Sequence, residues 1–347
     1  MSTSRSFHYF EKLPSEIRRE IYEASEQEAL TQLMWTNNKI RNEVLDHLYR
    51  DVSLIGLPME LNRLLRKRLV APQAVGKLRS IPSAYRVLTI VIVRSLPVGW
   101  EIFGSNWRVQ GCPSLVSNMI AVLIDGDFLR VLNLDLLGLD TEDLERLRRY
   151  VTPQFLPRTI KSLRIHGYDE SISLIMEGLH ARQLESLALL GLSSNSMLTF
   201  LLENQKPREF ELGRTGQTGV LTDLHLACLS TKFCLAKSLS LTLPTNRNDQ
   251  LAKALGDNLT HLTYLSIVSR GSPGDPGIQQ LVDTFFSEIQ KLRFLVLKLD
   301  FPAAVIAQRV SADDVDADIR IKTVENSDRI AWPMLARLKG EYPGKQE

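Results

Sequence analysis

The stretch "LTYLSIVSRGSPGDPGIQQLVDTFFSEIQKLRFLVLK", residues 262–298, holds two copies of one short pattern and the segment that joins them. At each end stands L-x-x-L-x-L, as Leu262/Leu265/Ile267 and as Leu292/Leu295/Leu297. Alternation at the last two apolar positions is a strand signal, because successive strand side chains point to opposite faces. Between the copies, "RGSPGDPG" (270–277) supplies turn residues, and "GIQQLVDTFFSEIQ" carries apolar positions at helical spacing. The stretch therefore reads strand, loop, helix, strand.

The same run recurs at Leu129/Leu132/Leu134, Ile160/Leu163/Ile165 and Leu184/Leu187/Leu189, and in degraded form at Phe210/Leu212 and Leu239/Leu241. Successive copies lie 23 residues apart (Leu187 to Phe210) to 31 (Leu132 to Leu163). That period is the one shown by leucine-rich repeats. "YRVLTIVIV" (85–93) and "ADIRIKTV" (317–324) read as terminal strands. "LDTEDLERLRRYV" (139–151), with Thr141 as cap, supplies a helical half, as do "SSNSMLTFLLEN" (193–204), "VLTDLHLACLS" (220–230) and "DQLAKALGDN" (249–258). One strand and one helix cannot bury their apolar sides alone, so neighbours stack. The expected fold class is α/β: a short helical N-terminus, then an irregular solenoid of strand–helix repeats with a curved parallel sheet.

In that arrangement the leucines turn inward. Asn133, Asp135, Arg164, His166, Glu211, Ser240, Thr242, Ser266, Lys298, Arg320 and Lys322 are expected on the concave surface, where a protein target would be held. The ninth repeat position carries Leu137, Tyr168, Leu192 or Arg270 rather than Asn or Cys, so irregular repeats are expected.

Ahead of the repeats, "FEKLPSEIRREIYEAS" (10–25) opens a helix with Pro14 at its first position. Leu13, Ile17 and Ile21 fall four apart and form its apolar stripe; Arg18, Arg19, Glu20 and Glu23 take the other sides. Leu30, Leu33 and Met34 share a second helical face, and Ile40, Val44 and Leu48 a third. Three short helices within about 40 residues are too small for a core of their own. "LPSEIRREI" followed by "LTQLMWTNNKIRNEVLDHLYRDV" resembles the F-box in its divergent fungal form, over roughly residues 8–53. Leu13-Pro14 and Ile17 match its opening Leu-Pro and first helix together with Ile21, Leu30 and Leu33 its second helix, and Ile40 its third. With the repeats, the whole chain resembles an F-box protein with leucine-rich repeats.

The resemblance implies a substrate-recognition subunit of a Skp-cullin-F-box ubiquitin ligase. Leu13, Pro14, Ile17, Ile21, Leu30, Leu33 and Ile40 would dock a Skp-type adaptor and, through it, a cullin, while the repeats bind a protein target. The alternative is a leucine-rich-repeat scaffold whose N-terminal helices only cap the solenoid. The expected divisions are an F-box-like helical domain at 1–57, a basic helical connector at 58–84, the solenoid at 85–325 and a cap and tail at 326–347.

Composition narrows the functional classes. The chain has 347 residues, 44% hydrophobic and 24% charged, with a formal net charge of +2. Near-neutrality argues against a nucleic-acid partner. The cluster Arg63, Arg66, Lys67 and Arg68 reads as a solvated helix face. Cys112, Cys228 and Cys234 have no CxxC spacing, which points to a reducing compartment, cytoplasmic or nuclear. The longest apolar run, "VLTIVIV", is too short to cross a bilayer, so no membrane partner is expected. The six histidines lack metal spacing, "SADDVDAD" (311–318) lacks the Gly and closing Glu of a calcium loop, and no nucleophile elbow or phosphate loop is present. No catalytic residue, metal or cofactor is expected.

Overall fold

The computed structural model describes residues 10, 12–35, 38–70, 84–93, 114–181, 183–191, 205–213, 235–244, 248–269, 275–299, 303–310 and 318–325. The segments read as helices at 193–204 and 220–230, the acidic stretch 311–317, most of the connector after Val70 and the tail from 326 lie outside them. Two compact units are present: Met1–Ile160 with Glu177–His180, and Lys161–Met176 with Ala181–Glu347. The division falls inside the repeats.

The first unit begins with α1 (Ser15–Ala24), α2 (Gln27–Leu33) and α3 (Asn38–Leu48). The strand β1 (Asp51–Gly56) follows directly, inside the stretch expected to be helical. Its residues alternate, with Val52 and Leu54 buried and Asp51, Ser53 and Ile55 exposed, which suits a sheet and not a helix. After α4 (Pro58–Val70) come β2 (Val87–Ile92), α5 (Leu115–Ile124), β3 (Val131–Asp135) and α6 (Thr141–Tyr150). The three strands pair in parallel, with Val52 beside Leu88 and Leu88 beside Leu132. Leu61 and Leu65 of α4, and Met119 and Val122 of α5, are fully buried with Leu88, Ile90 and Leu132. Each such side chain contributes roughly 1.5–3 kcal/mol by leaving water. Asp140, and not Thr141, caps α6 by accepting the Asp143 N–H at 2.8 Å. Gly138 is required where it stands, since a Cβ there would lie 2.2 Å from the Ile92 carbonyl oxygen.

The second unit runs β4 (Ser162–His166), α7 (Asp169–Glu177), β5 (Ser186–Leu190), β6 (Glu209–Gly213), β7 (Ser238–Pro244), α8 (Asn248–Asn258), β8 (Tyr264–Val268), α9 (Pro276–Glu288), β9 (Phe294–Lys298), β10 (Ala303–Arg309) and β11 (Ile319–Glu325). From β4 to β9 every pairing is parallel and in one register, save that the β7–β8 pairing shifts between Leu241 and Pro244. Leu163, Leu187, Phe210, Leu239, Leu265 and Leu295 form one row, and all are fully buried. Ile165, Leu189, Leu212, Leu241, Ile267 and Leu297 form a second, equally buried row. The strand–helix repeat expected from the L-x-x-L-x-L runs is the architecture of this unit.

One strand departs from an all-parallel sheet. β10 was not visible as a strand in the sequence, and it pairs antiparallel with both β9 and β11. Just past β4 and β5 the Gly167 N–H donates to the Leu190 carbonyl at 3.0 Å and the Gly191 N–H to the Gly213 carbonyl at 2.9 Å. Gly191 sits at φ +99° with the Gly167 carbonyl oxygen 2.2 Å from its absent Cβ, so only glycine fits.

Candidate protein-docking surfaces

On α1 the packing is inverted relative to the apolar stripe. Ile17 is 41% exposed and Ile21 37%, while Arg18 and Tyr22 are buried. The cause is a polar cluster on α3. Arg18 Nε donates to Glu43 Oε2 at 2.8 Å and Nη2 to Oε1 at 2.6 Å. Arg18 Nη1 also donates to the Leu13 carbonyl, and the Tyr22 hydroxyl donates to Glu43 Oε2 at 3.0 Å. A fork-to-fork guanidinium–carboxylate pair satisfies both charges at once, which makes burial of Arg18 tolerable. The hydrogen bonds from Arg18 hold the Glu43 carboxyl below the usual carboxylate range. Burial raises the Tyr22 hydroxyl pKa and lowers that of His47, whose ring lies 5.3 Å from that of Tyr22. The polar face of α1 is thus fastened to α3, and its apolar face is left outward.

The seven positions matched to adaptor docking divide accordingly. Ile17 and Ile21 are exposed, as is Pro14; Leu13 and Leu33 are half-buried. Leu30 and Ile40 are buried, Ile40 almost completely. They are interior residues of the three-helix packing and present no surface, because Leu30, Met34, Val44 and Leu45 are buried with Ile40 in so small a unit. Trp35, not singled out in the sequence, is exposed, with the Arg41 guanidinium 5.9 Å from its ring centre.

In the first unit Asn133 and Asp135 are half-buried and engaged. Asn133 Nδ2 donates to Thr89 Oγ1 at 3.0 Å, and Asp135 Oδ1 accepts the Leu137 N–H at 3.2 Å. The first links the middles of β2 and β3, and the second steadies the end of β3.

In the second unit, Arg164, Glu211, Ser240 and Ser266 do lie on the face opposite the leucines, since they share one register row with Ala188 and Val296. Several of them are nonetheless inaccessible. Glu211 is 5% exposed, Ser240 4% and Ser266 2%. Short hydroxyl side chains scarcely rise above the backbone, and the adjoining row carries the larger Tyr264 and Phe294. Arg164 Nη1 reaches Glu211 Oε2 at 3.2 Å, across the fully buried Ala188. His166 and Lys298 are half-exposed, and Arg320 and Lys322 exposed. The side chain of Thr242 lies outside the described residues. The exposed side chains of this face therefore lie on β10 and β11, while Arg164 and His166 on β4 and Lys298 on β9 are half-exposed.

Among the described residues, no group of three His, Cys, Asp or Glu side chains could hold a metal ion, and no helix is long and apolar enough to cross a membrane.

No protein-family model matches the chain. No curated protein matches it. Among solved structures it is similar to the leucine-rich repeat-containing protein LegL7 from Legionella pneumophila, at 12% identity and a TM-score of 0.39, over 72% of this chain and 91% of that one. The repeat architecture given above rests on the strand register and the buried leucine rows, not on that likeness.

Proposed function

We propose that this chain is a non-catalytic protein-binding repeat protein, and specifically the substrate receptor of a Skp-cullin-F-box type ubiquitin ligase. The observation that carries the reading is the outward stripe of α1. A helix that buries Arg18 and exposes Ile17 and Ile21 leaves apolar area which a partner can cover. That helix directly follows the Leu13-Pro14 opening of the F-box resemblance, with Pro14 as its N-cap residue. The mechanism is proximity: the N-terminal helices hold the adaptor, the repeats hold a target, and target lysines gain effective concentration near a conjugating enzyme carried elsewhere in the complex. No residue of this chain need touch the reacting atoms.

The burial of Leu30 and Ile40 favours a second reading, a repeat scaffold whose N-terminal helices serve only as packing. Co-purification separates the two. The full chain, expressed with a Skp-type adaptor and a cullin, retains both under the first reading and neither under the second.

A further inference from the structure

β11 is the last strand in the sheet order, and its pairing partner is β10. The register sets Arg320 opposite Gln308 and Lys322 opposite Ile306, and the Val310 N–H donates to the Asp318 carbonyl at 3.0 Å. In an antiparallel ladder, hydrogen-bonded pairs alternate along the strand. Starting from the bonded Val310/Asp318 pair, the backbone groups of Arg320, Lys322 and Val324 face β10. Those of Ile319, Ile321 and Thr323 face the other way, and among the described residues no strand pairs with them there. Residues 320–323 are all exposed, so both faces of the strand are reachable.

The side chains on this edge are sorted by charge. Arg320 and Lys322 project on the face shared with Lys298, and Ile321 projects on the other, where it is 40% exposed. We propose that the outer edge of β11 takes up an extended peptide segment in which acidic and apolar residues alternate, bound as an added strand. Main-chain hydrogen bonds to Ile319, Ile321 and Thr323 supply affinity, and alternate side chains supply specificity. Acidic residues meet Arg320 and Lys322 on one face while apolar ones cover Ile321 on the other. A second copy of this chain fits poorly. Symmetric antiparallel pairing centred on Ile321 sets Arg320 against Lys322, and centring it on Lys322 sets Lys322 against itself. Cations on an edge strand keep like edges apart, while an acidic strand is attracted. The inference gives the target of the preceding section its chemistry and rests on reading the repeats as a protein-binding element.

The test is fluorescence anisotropy on the full chain with a labelled Glu-Val-Glu-Val-Glu-Val-Glu peptide as probe, beside its Lys-for-Glu counterpart. The acidic peptide is expected to bind and the basic one not. Arg320→Glu with Lys322→Glu reverses that preference. Ile321→Pro removes an outward N–H without touching the β10 ladder, so it should weaken binding at least tenfold with an unchanged melting temperature. A probe N-methylated at alternate amides keeps its charge but loses its donors, and should bind at least tenfold more weakly to the unaltered chain. Failure of the acidic peptide to bind overturns the inference, as does equal binding of the N-methylated probe, which would mean charge alone is read. Adaptor retention by the same preparation reports on the receptor reading separately.

Discussion

Arg18 and Glu43, 25 residues apart, form a two-point ion pair at 2.8 and 2.6 Å that fixes which side of α1 faces the protein. Glu43→Gln removes the charge that compensates the buried Arg18. Breaking a buried pair by one partner costs about 3–5 kcal/mol; the Glu43 side chain retains 28% exposure, so roughly 2 kcal/mol is expected here. The loss should be local, read as faster amide hydrogen exchange over residues 15–24, while the strands of the second unit keep their protection.

Acid should act on this contact and on His47, which packs beside Tyr22. Burial places the folded-state pKa of His47 below its ordinary value, and the hydrogen bonds from Arg18 do the same for Glu43. The unfolded chain therefore takes up these protons first. Both contributions are present at neutral pH and are lost as pH falls, the His47 part below about 6.5 and the Glu43 part below about 4.3. Thermal melts at descending pH should show the first step in the native chain, and His47→Gln should remove that step alone.

Arg164 reaches Glu211 over Ala188, joining β4 to β6 across the strand between them. Arg164→Ala should destabilise by roughly 1–2 kcal/mol, because it strands a buried carboxylate while Arg164 itself is partly solvated. Ser266→Ala should change stability by less than about 0.5 kcal/mol. A urea midpoint for each variant, with the Arg164→Ala/Glu211→Gln double-mutant cycle, checks the coupling.

Leu163→Asp and Leu265→Asp each put a carboxylate into the fully buried row without a counter-charge. Either should cost more than about 4 kcal/mol and prevent recovery of folded protein. Size-exclusion chromatography and circular dichroism report the outcome.

The leucine rows were legible because each L-x-x-L-x-L run carries its own period, and its partner is the same run one repeat away. β1 was less so: "DVSLIG" has only Val52 and Leu54 inward, and Ile55, which is exposed, blurs the alternation. β10, "AAVIAQR", is rich in alanine, which favours strands weakly. The inversion of α1 defeated the rule that an apolar stripe packs inward. The side chain that reverses it, Glu43, lies on another helix and leaves no local trace. Placement of Glu211, Ser240 and Ser266 on the face opposite the leucines followed from parity alone. Their burial did not, because it depends on the height of their neighbours in adjacent repeats.

The receptor reading requires another protein to cover Ile17 and Ile21. Both are exposed, so Ile17→Asp with Ile21→Asp should leave the melting temperature within a degree or two of the native chain, as surface substitutions usually do. Burying an isoleucine contributes roughly 1.5–3 kcal/mol, and 1.4 kcal/mol is about tenfold in affinity. The measurement is the dissociation constant of the full chain for a purified Skp-type adaptor, by isothermal titration calorimetry. The native chain should bind tightly, and the double variant should lose about 100-fold or more. Equal affinity in the two, or no binding by the native chain, would contradict the receptor reading.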